Sequence, residues 1–455
     1  MVSESAAGLF DRATGALTPG ASADARFASS VWTTIRFANG EIHQPHFERT
    51  HHVSFRVARE GRIGIATSVD LTPAGLREVA RVADALARYA PVEKGFRGFP
   101  ADHENVEPVA FSRSTAALRP EEVTRLAERV LTAAQERAPG ARVAGVVNVG
   151  WDETRILNTA GLDRSSRTSA AQASVLVERP ELEPPVSGWS EGAHWDAARL
   201  FPERLGHEAA ERVPKSPPRT VKPGVYPVVL AGPAVAEAMV FLGHLGFGGH
   251  AEVEGWSCLR SHRGRRVAPS RVELVDDARS RQSIPRAVDN EGTRTRRTAL
   301  ISQGVAGPAV TDLLTSVRLE RPRTGHALPP EAPWGEWGPV PSHLLLRAGE
   351  ESADELVREL RHGLLVTRFH YVRVVDPGRG VLTGMTRDGT YRIRNGEVAE
   401  PVRNLRFTES LLTLLRGIEG LGRERRIYAD ERGTDAATVP SLRAKAFRFT
   451  SATLF

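Results

Sequence analysis

Two histidines and two glutamates crowd into one short stretch: His244, His250, Glu252 and Glu254. Imidazole nitrogens and carboxylate oxygens are ligands for a hydrolytic zinc, and a glutamate beside such a metal can serve as general base toward water. These four are therefore the catalytic candidates, and an independent hydrolase with a rebuilt His/Glu site is one reading they allow. They close the longest apolar run of the chain, Gly224 to Trp256, in which Glu237 is the only charge before Glu252. A run this long raises the question of a membrane span. Pro227, Pro233, the cluster Gly243, Gly246, Gly248, Gly249 and the two histidines oppose it, because backbone broken at such points lacks hydrogen-bond partners in lipid. The pattern predicts a buried strand over Tyr226 to Leu230, a short helix from about Pro233 to Leu242, and a glycine-rich turn. That turn would deliver the four candidates to one neighbourhood. Glu252 and Glu254 alternate with Ala251 and Val253, the spacing of a strand's outward face.

The elements that must position these residues belong to a chain of 455 residues, too long for one ordinary core, so two domains are expected. With 40% hydrophobic and 25% charged residues the composition is that of a soluble globular protein. The N-terminus lacks a basic region followed by an apolar core, so no signal peptide is evident, and a cytoplasmic, bacterial protein is expected. A single cysteine, Cys258, excludes an internal disulfide and any zinc site of several thiolates. Buried among apolar neighbours, with no basic partner to activate it, it reads as inert. The net charge of +6 and pI near 9.8 raise nucleic acid as a partner. The arginines, however, lie scattered among acids. RGRR at 263–266 and RTRR at 294–297 are the only dense patches and carry no interleaved aromatics, so nucleic-acid binding is not favoured.

Read in order, Arg26 to Phe37 favours a strand and Asn39-Gly40 a hairpin turn. Val53 to Val57 and Arg62 to Thr67 form a second strand pair about Glu60-Gly61. Thr72-Pro73 starts a helix ending near Ala90, and Pro120 starts another, with a structureless stretch from Val92 to Ala117 between them. Strands at Arg142 to Val149, Thr154 to Leu157 and Gln172 to Val177 precede a helix over about His194 to Val213. The proline-rich PKSPPRTVKPG, 214–224, reads as a linker. Short strands dominate beyond it: Val272 to Val275, Ala299 to Ile301, Val366 to Val375, and a hairpin turning at Asp388-Gly389. Helices are expected at Ser352 to Arg361 and Leu411 to Ile418. The fold class is α+β, with an N-terminal α+β domain over 1–213, the linker, and a strand-rich C-terminal domain over 225–455.

Four segments then resemble the TldD/PmbA family of peptidases, whose older label is modulator of DNA gyrase. They are VSFRVAREGRIGIATSVDLTPAGLREVARVADALA (53–87), PGVYPVVLAGPAVAEAM (223–239), the stretch DNEGTRTRRTALISQGVAGPAVTDLLTSVRLERPRTGHA (289–327) and LTGMTRDGTYRIRNGEVAEPVRNLRFTESLLTLL (382–415). The resemblance implies a two-domain subunit, pairing of a TldD-type with a TldE-type (PmbA-type) chain, and zinc-dependent peptide cleavage by the heterodimer. TldD-type chains carry HExxxH after the corresponding strand and helix, with a later cysteine as further ligand. With His250 set on the second histidine, Leu245 and Gly246 occupy the His-Glu positions, and no cysteine follows Cys258. The resemblance therefore implies a TldE/PmbA-like chain without its own metal, with zinc in its TldD-type HExxxH partner and an unfolded or modified peptide as substrate. Alone, the chain is expected to form a homodimer through the surface offered to that partner. The rivals are the independent hydrolase and a gyrase- or nucleic-acid-associated binding protein.

Other polar clusters read as structural. His244 and His250 suit packing or an interface better than a metal. Asp276-Asp277 after VELV and Asp289-Glu291 in DNEG suit turns, with Gly292 supplying positive φ. Thr386, Arg387 and Asp388 suit a hairpin tip with a possible peptide contact. Trp334 and Trp337 are interface candidates in an exposed loop.

Overall fold

The computed structural model describes residues 6–15, 17–101, 104–329, 337–430, 432–433 and 435–453. Its N-terminal half grows from hairpins with left-handed turns. After α1 (Ala6–Thr14), strand β1 (Ser22–Ala38) turns into β2 (Glu41–Arg59), and β2 into β3 (Arg62–Ser68). Asn39 and Gly40 have φ of +52° and +86°, and Glu60 and Gly61 +50° and +74°. Paired positive φ values match the right-handed twist of the flanking strands, which is why these dipeptides make tight hairpins. Helix α2 (Pro73–Ala87) begins where the Thr72 hydroxyl accepts the Gly75 amide at 3.2 Å. Then follow α3 (Arg113–Ala116), α4 (Pro120–Arg137), β4 (Arg142–Asn158), β5 (Asp163–Arg179), β6 (Val186–His194) and α5 (Pro202–Glu211). The strands form an antiparallel sheet in the order β3-β2-β1-β4-β5-β6. Phe10 and Leu76 pack on Phe55 and Val57, while Val130 and Leu205 pack with Val147 and Val175.

The second half begins with β7 (Gly224–Leu230), α6 (Gly232–Phe247) and α7 (Gly249–Glu254). Next come β8 (Leu274–Asp276), β9 (Thr298–Ser302), β10 (Val305–Ala306), α8 (Leu313–Arg318), β11 (His343–Leu346) and α9 (Ala353–Glu359). The chain ends with β12 (His362–Asp376), β13 (Val381–Arg394), β14 (Glu397–Pro401), β15 (Leu405–Ser410), α10 (Leu411–Arg416), β16 (Ile418–Ala429) and β17 (Ala436–Ala452). Strand β17 pairs with β7, β7 with β12, β12 with β13, β13 with β15, and β15 again with β17, so five strands close on themselves. Phe369, Phe407, Phe447 and Phe449 stack in its core. Helix α6 is apolar nearly all round and buried nearly all round, which is what a helix at the centre of a large core requires. Among the described residues no helix is long and apolar enough to cross a membrane. One β-bridge, Ala193 to Ile427, joins the two sheets.

Several local expectations change. Helix α6 does not stop at Leu242 but carries His244 on to Phe247, and Gly248 (φ −66°, ψ 132°) breaks it before α7. Glu252 and Glu254 are therefore helical, not on a strand. Gly249 makes this possible, since a Cβ there would meet the Val310 carbonyl at 2.3 Å. The strand fragments expected over 142–157 are one strand, β4, held on both sides by β1 and β5. The helix expected from His194 starts at Pro202, because His194 still pairs in β6. Asp388-Gly389 is a bulge inside β13 rather than a hairpin tip; the neighbouring turns fall at 377–380 and at Asn395-Gly396. There Asp388 is buried and bonded to Ser187 (2.5 Å) and Arg368 (2.6 Å). Trp334 lies outside the described residues. Trp337 is half-buried, edge-on to Trp256 at 5.7 Å.

Candidate functional site

The four catalytic candidates part company in space. His244, near the end of α6, lines a cavity between the two halves of the molecule, its ring 6.0 Å from that of Trp337. Its Nε2 is buried and without a hydrogen bond, and burial pushes its pKa down to about 4, so the ring is neutral. His250, on α7, has its Cβ against Gly338, where a second Cβ would come within 2.6 Å. Glu252 is buried and taken by Arg263, at 3.0 Å from Nε and 2.6 Å from Nη2. Glu254 faces outward toward Arg318 at 3.5 Å. Among the described residues no three His, Cys, Asp or Glu side chains stand where they could hold a metal ion. Cys258 is buried, and burial raises its thiol to about 11.

The residues beside His244 on α6 add no metal ligand to it. Leu245 is fully buried in the apolar core. At Gly246 a Cβ would lie 2.8 Å from Leu259 Cδ1, so no longer side chain fits without displacing Leu259. The Gly246 carbonyl is already used by Ser257 Oγ (2.8 Å) and Arg263 Nη2 (2.6 Å).

The cavity, of about 440 Å3, lies between the face of β1, β2, β4 and β5 and the loops around β8 and β11. Its polar side chains mostly serve one another. Asp276, at the end of β8, faces His326 Nε2 at 3.0 Å and accepts the His343 amide at 2.6 Å. Burial alone would oppose its ionisation, but these two partners hold its carboxyl below the usual range. His326 spends its other nitrogen on Thr324 Oγ1 at 2.9 Å. His343, fully buried near Arg286, is pushed down to about 3. Asp435 is pushed up to about 7, chiefly by burial and then by Asp430. Arg26 reaches from β1 to Asn290 Oδ1 (2.9 Å), and Asn290 donates to the Ala327 carbonyl at 2.9 Å. Asp289 accepts the amides of Glu291, Thr293 and Ala327, so DNEG is a buried turn, with Gly292 at φ +76°. Gly325, at φ +78°, passes so close to the Arg294 carbonyl that a Cβ would meet it at 2.5 Å; this places His326 over Asp276.

A zinc ion does not fit this donor set. Both Asp276 oxygens and both His326 nitrogens are engaged, which leaves two single imidazole nitrogens, of His244 and His343, and among the described residues no group of three donors. Sequence reading missed the Asp276–His326–His343 group because its members lie far apart in the chain. Only their meeting across β8 and β11 reveals them.

Residues 223–451 match the model of the PmbA/TldA metallopeptidase C-terminal domain, 23–87 that of domain 1 and 114–216 that of the central domain. The chain belongs to the TldD/PmbA family. The chain is 28% identical over 244 residues to a metalloprotease of Methanothermobacter thermautotrophicus, a match spanning 52% of this chain and about half (51%) of that relative. It is 23% identical over 427 residues to metalloprotease PmbA of Escherichia coli O157:H7, covering 90% and 89% of the two TldD/PmbA-family chains. The crystal structure of TldE from Thermococcus kodakarensis superposes with a TM-score of 0.87 at 18% identity, over 98% and 99% of the two chains, which shows the shared fold.

Proposed function

We propose that this TldD/PmbA-family chain is a TldE-type, metal-free subunit that pairs with a TldD-type HExxxH chain in a zinc metallopeptidase acting on unfolded or modified peptides. The observation that carries the reading is that Leu245 is buried in the apolar core and Gly246 packs against Leu259, so neither motif position presents a ligand or a base to the cavity. In this reading zinc and the general base belong to the partner, and the present chain supplies walls and backbone edges. One such edge is on hand. Strand β2 pairs with β1 along its length but with β3 only from Val53 to Arg59, so among the described residues its first part has a free side. Thr50 and His52 carry that strand into the cavity. An extended peptide can add to such an edge through main-chain hydrogen bonds alone, which suits substrates without a common sequence. The division into 1–213, a linker and 225–455 is kept as the working domain plan.

The test is reconstitution with an HExxxH-bearing family partner. The pair should cleave a peptide that neither chain cleaves alone, and elemental analysis should find zinc in the partner only. His244→Ala and His250→Ala in this chain should leave turnover within a few fold. Loss of the partner's first motif histidine should abolish it, since no activated water remains. Cleavage lost on His244→Ala while the complex still assembles would place a catalytic group here and overturn the reading.

A further inference from the structure

A second cavity, of about 1000 Å3, opens where α5 and β6 meet β16 and the start of α9. Seven arginines line it against three acids, Glu208, Glu424 and Asp354. Four of the seven are engaged: Arg204, Arg212 and Arg426 converge on Glu208, and Arg423 pairs with Glu355. The remaining three are not neutralised. Arg425 reaches only neutral oxygens, of Gln282 at 2.6 Å and of Leu346 at 3.5 Å. Arg199 and Arg281 are exposed, with no carboxylate partner among the described residues.

Two further observations fall on the same cleft. The start of α6, at Ala231 and Gly232, borders it with no side-chain cap, so the positive end of a 16-residue helix adds to its potential. At its rim Phe201 is 57% exposed and holds φ +53°. The left-handed region is unfavourable for a bulky residue, and in that conformation this one presents its ring to solvent. Strain of this kind persists where a contact depends on it.

We propose that this cleft binds an acidic peptide segment, with carboxylates held by Arg199, Arg281 and Arg425 and an apolar side chain resting on Phe201. Guanidinium groups bind carboxylates through paired, charge-assisted hydrogen bonds, and burial around Arg425 strengthens such a bond. Three unpaired cations distributed over a large groove suit carboxylates spaced along an extended chain. The interleaved Glu208, Glu424 and Asp354 disfavour a phosphodiester strand, which carries charge at every step. The cleft lies apart from the cavity containing His244, and the inference does not depend on the subunit reading. The two spaces share a wall, however. Arg281 and Gln282 face the cleft, while Arg286 and Asp289 of the same loop face the cavity.

The full-length chain is titrated, with fluorescence anisotropy as readout, into a short labelled peptide rich in Glu and Phe, into its Gln counterpart, and into a single-stranded oligonucleotide. The acidic peptide should bind at least about tenfold more tightly than the Gln peptide, a difference of about 1.4 kcal/mol. The double variant Arg199→Ala/Arg281→Ala should lose about tenfold in affinity at an unchanged Tm, and Phe201→Ala should weaken binding further. No binding, equal affinity for the Glu and Gln peptides, an unaffected double variant, or tighter binding of the oligonucleotide would each overturn the proposal.

Discussion

The cavity between the halves and the cleft beside α5 are both lined by charged side chains, yet they handle charge in opposite ways. In the one between the halves, the carboxylates and Arg26 are matched, Asp276 with His326 and His343, Arg26 with Asn290, Asp289 with three amides, and the groups left over are two neutral imidazole nitrogens, of His244 and His343. In the cleft beside α5, three arginines remain without a carboxylate. A buried polar group left without its partner costs more than a satisfied pair contributes, so the first arrangement is constrained from within. The second is solvated, so its surplus charge costs little until a ligand arrives. The contrast teaches that charged residues in a cavity serve its structure when they are paired and are available to a ligand only where they are not.

The largest expected effect breaks the matched side of this contrast. Asp276→Ala strands the His326 ring and the His343 amide in a buried setting. Removing one member of a buried charged network costs about 3–5 kcal/mol, to be read by denaturant titration of the full chain. Wild-type stability would show that the network does not hold β8 to β11.

A smaller and pH-dependent effect comes from Asp435. Its carboxyl sits at about 7 in the fold, above its ordinary value of 3.8, so the folded chain binds the proton more tightly than the unfolded chain. Its contribution is fully present below about pH 4 and is lost as pH rises through 7. Asp435→Asn should flatten that decline and raise Tm at pH 8 relative to the native chain. Parallel pH profiles of the two proteins would refute it. The smallest effect sharpens the comparison. His244→Leu removes a buried nitrogen with no partner and retains an apolar body, so Tm should hold or rise by the equivalent of about 1 kcal/mol. A marked fall in Tm would mean that Nε2 has a partner in solution.

Much of the local structure was readable in advance. Asn39-Gly40, Glu60-Gly61 and Thr72-Pro73 behave as expected because turn and cap preferences act over two to four neighbouring residues. The errors share a cause. Glu252 and Glu254 alternate like a strand, but six residues cannot distinguish periods, and close packing at Gly249 settled on a helix. Asp388-Gly389 carries a turn's dihedral angles inside a strand, because Arg368 and Ser187 draw the Asp388 carboxylate inward. At the candidate site, the identities of Leu245 and Gly246 beside His244 are visible in the chain. That a Cβ at Gly246 would press on Leu259 is not.

The sequence by itself determined the family, the α+β class, the hairpin turns and helix starts, and the absence of HExxxH from this chain. These are matters of residue identity and short-range geometry, which a linear pattern contains. Tertiary structure alone decided that His244, His250, Glu252 and Glu254 separate, that Asp276 meets His326 fifty residues away, and that Arg199, Arg281 and Arg425 share one cleft. Such meetings depend on how two sheets and a buried helix pack. Packing brings together residues whose separation along the chain carries no signal of their separation in space.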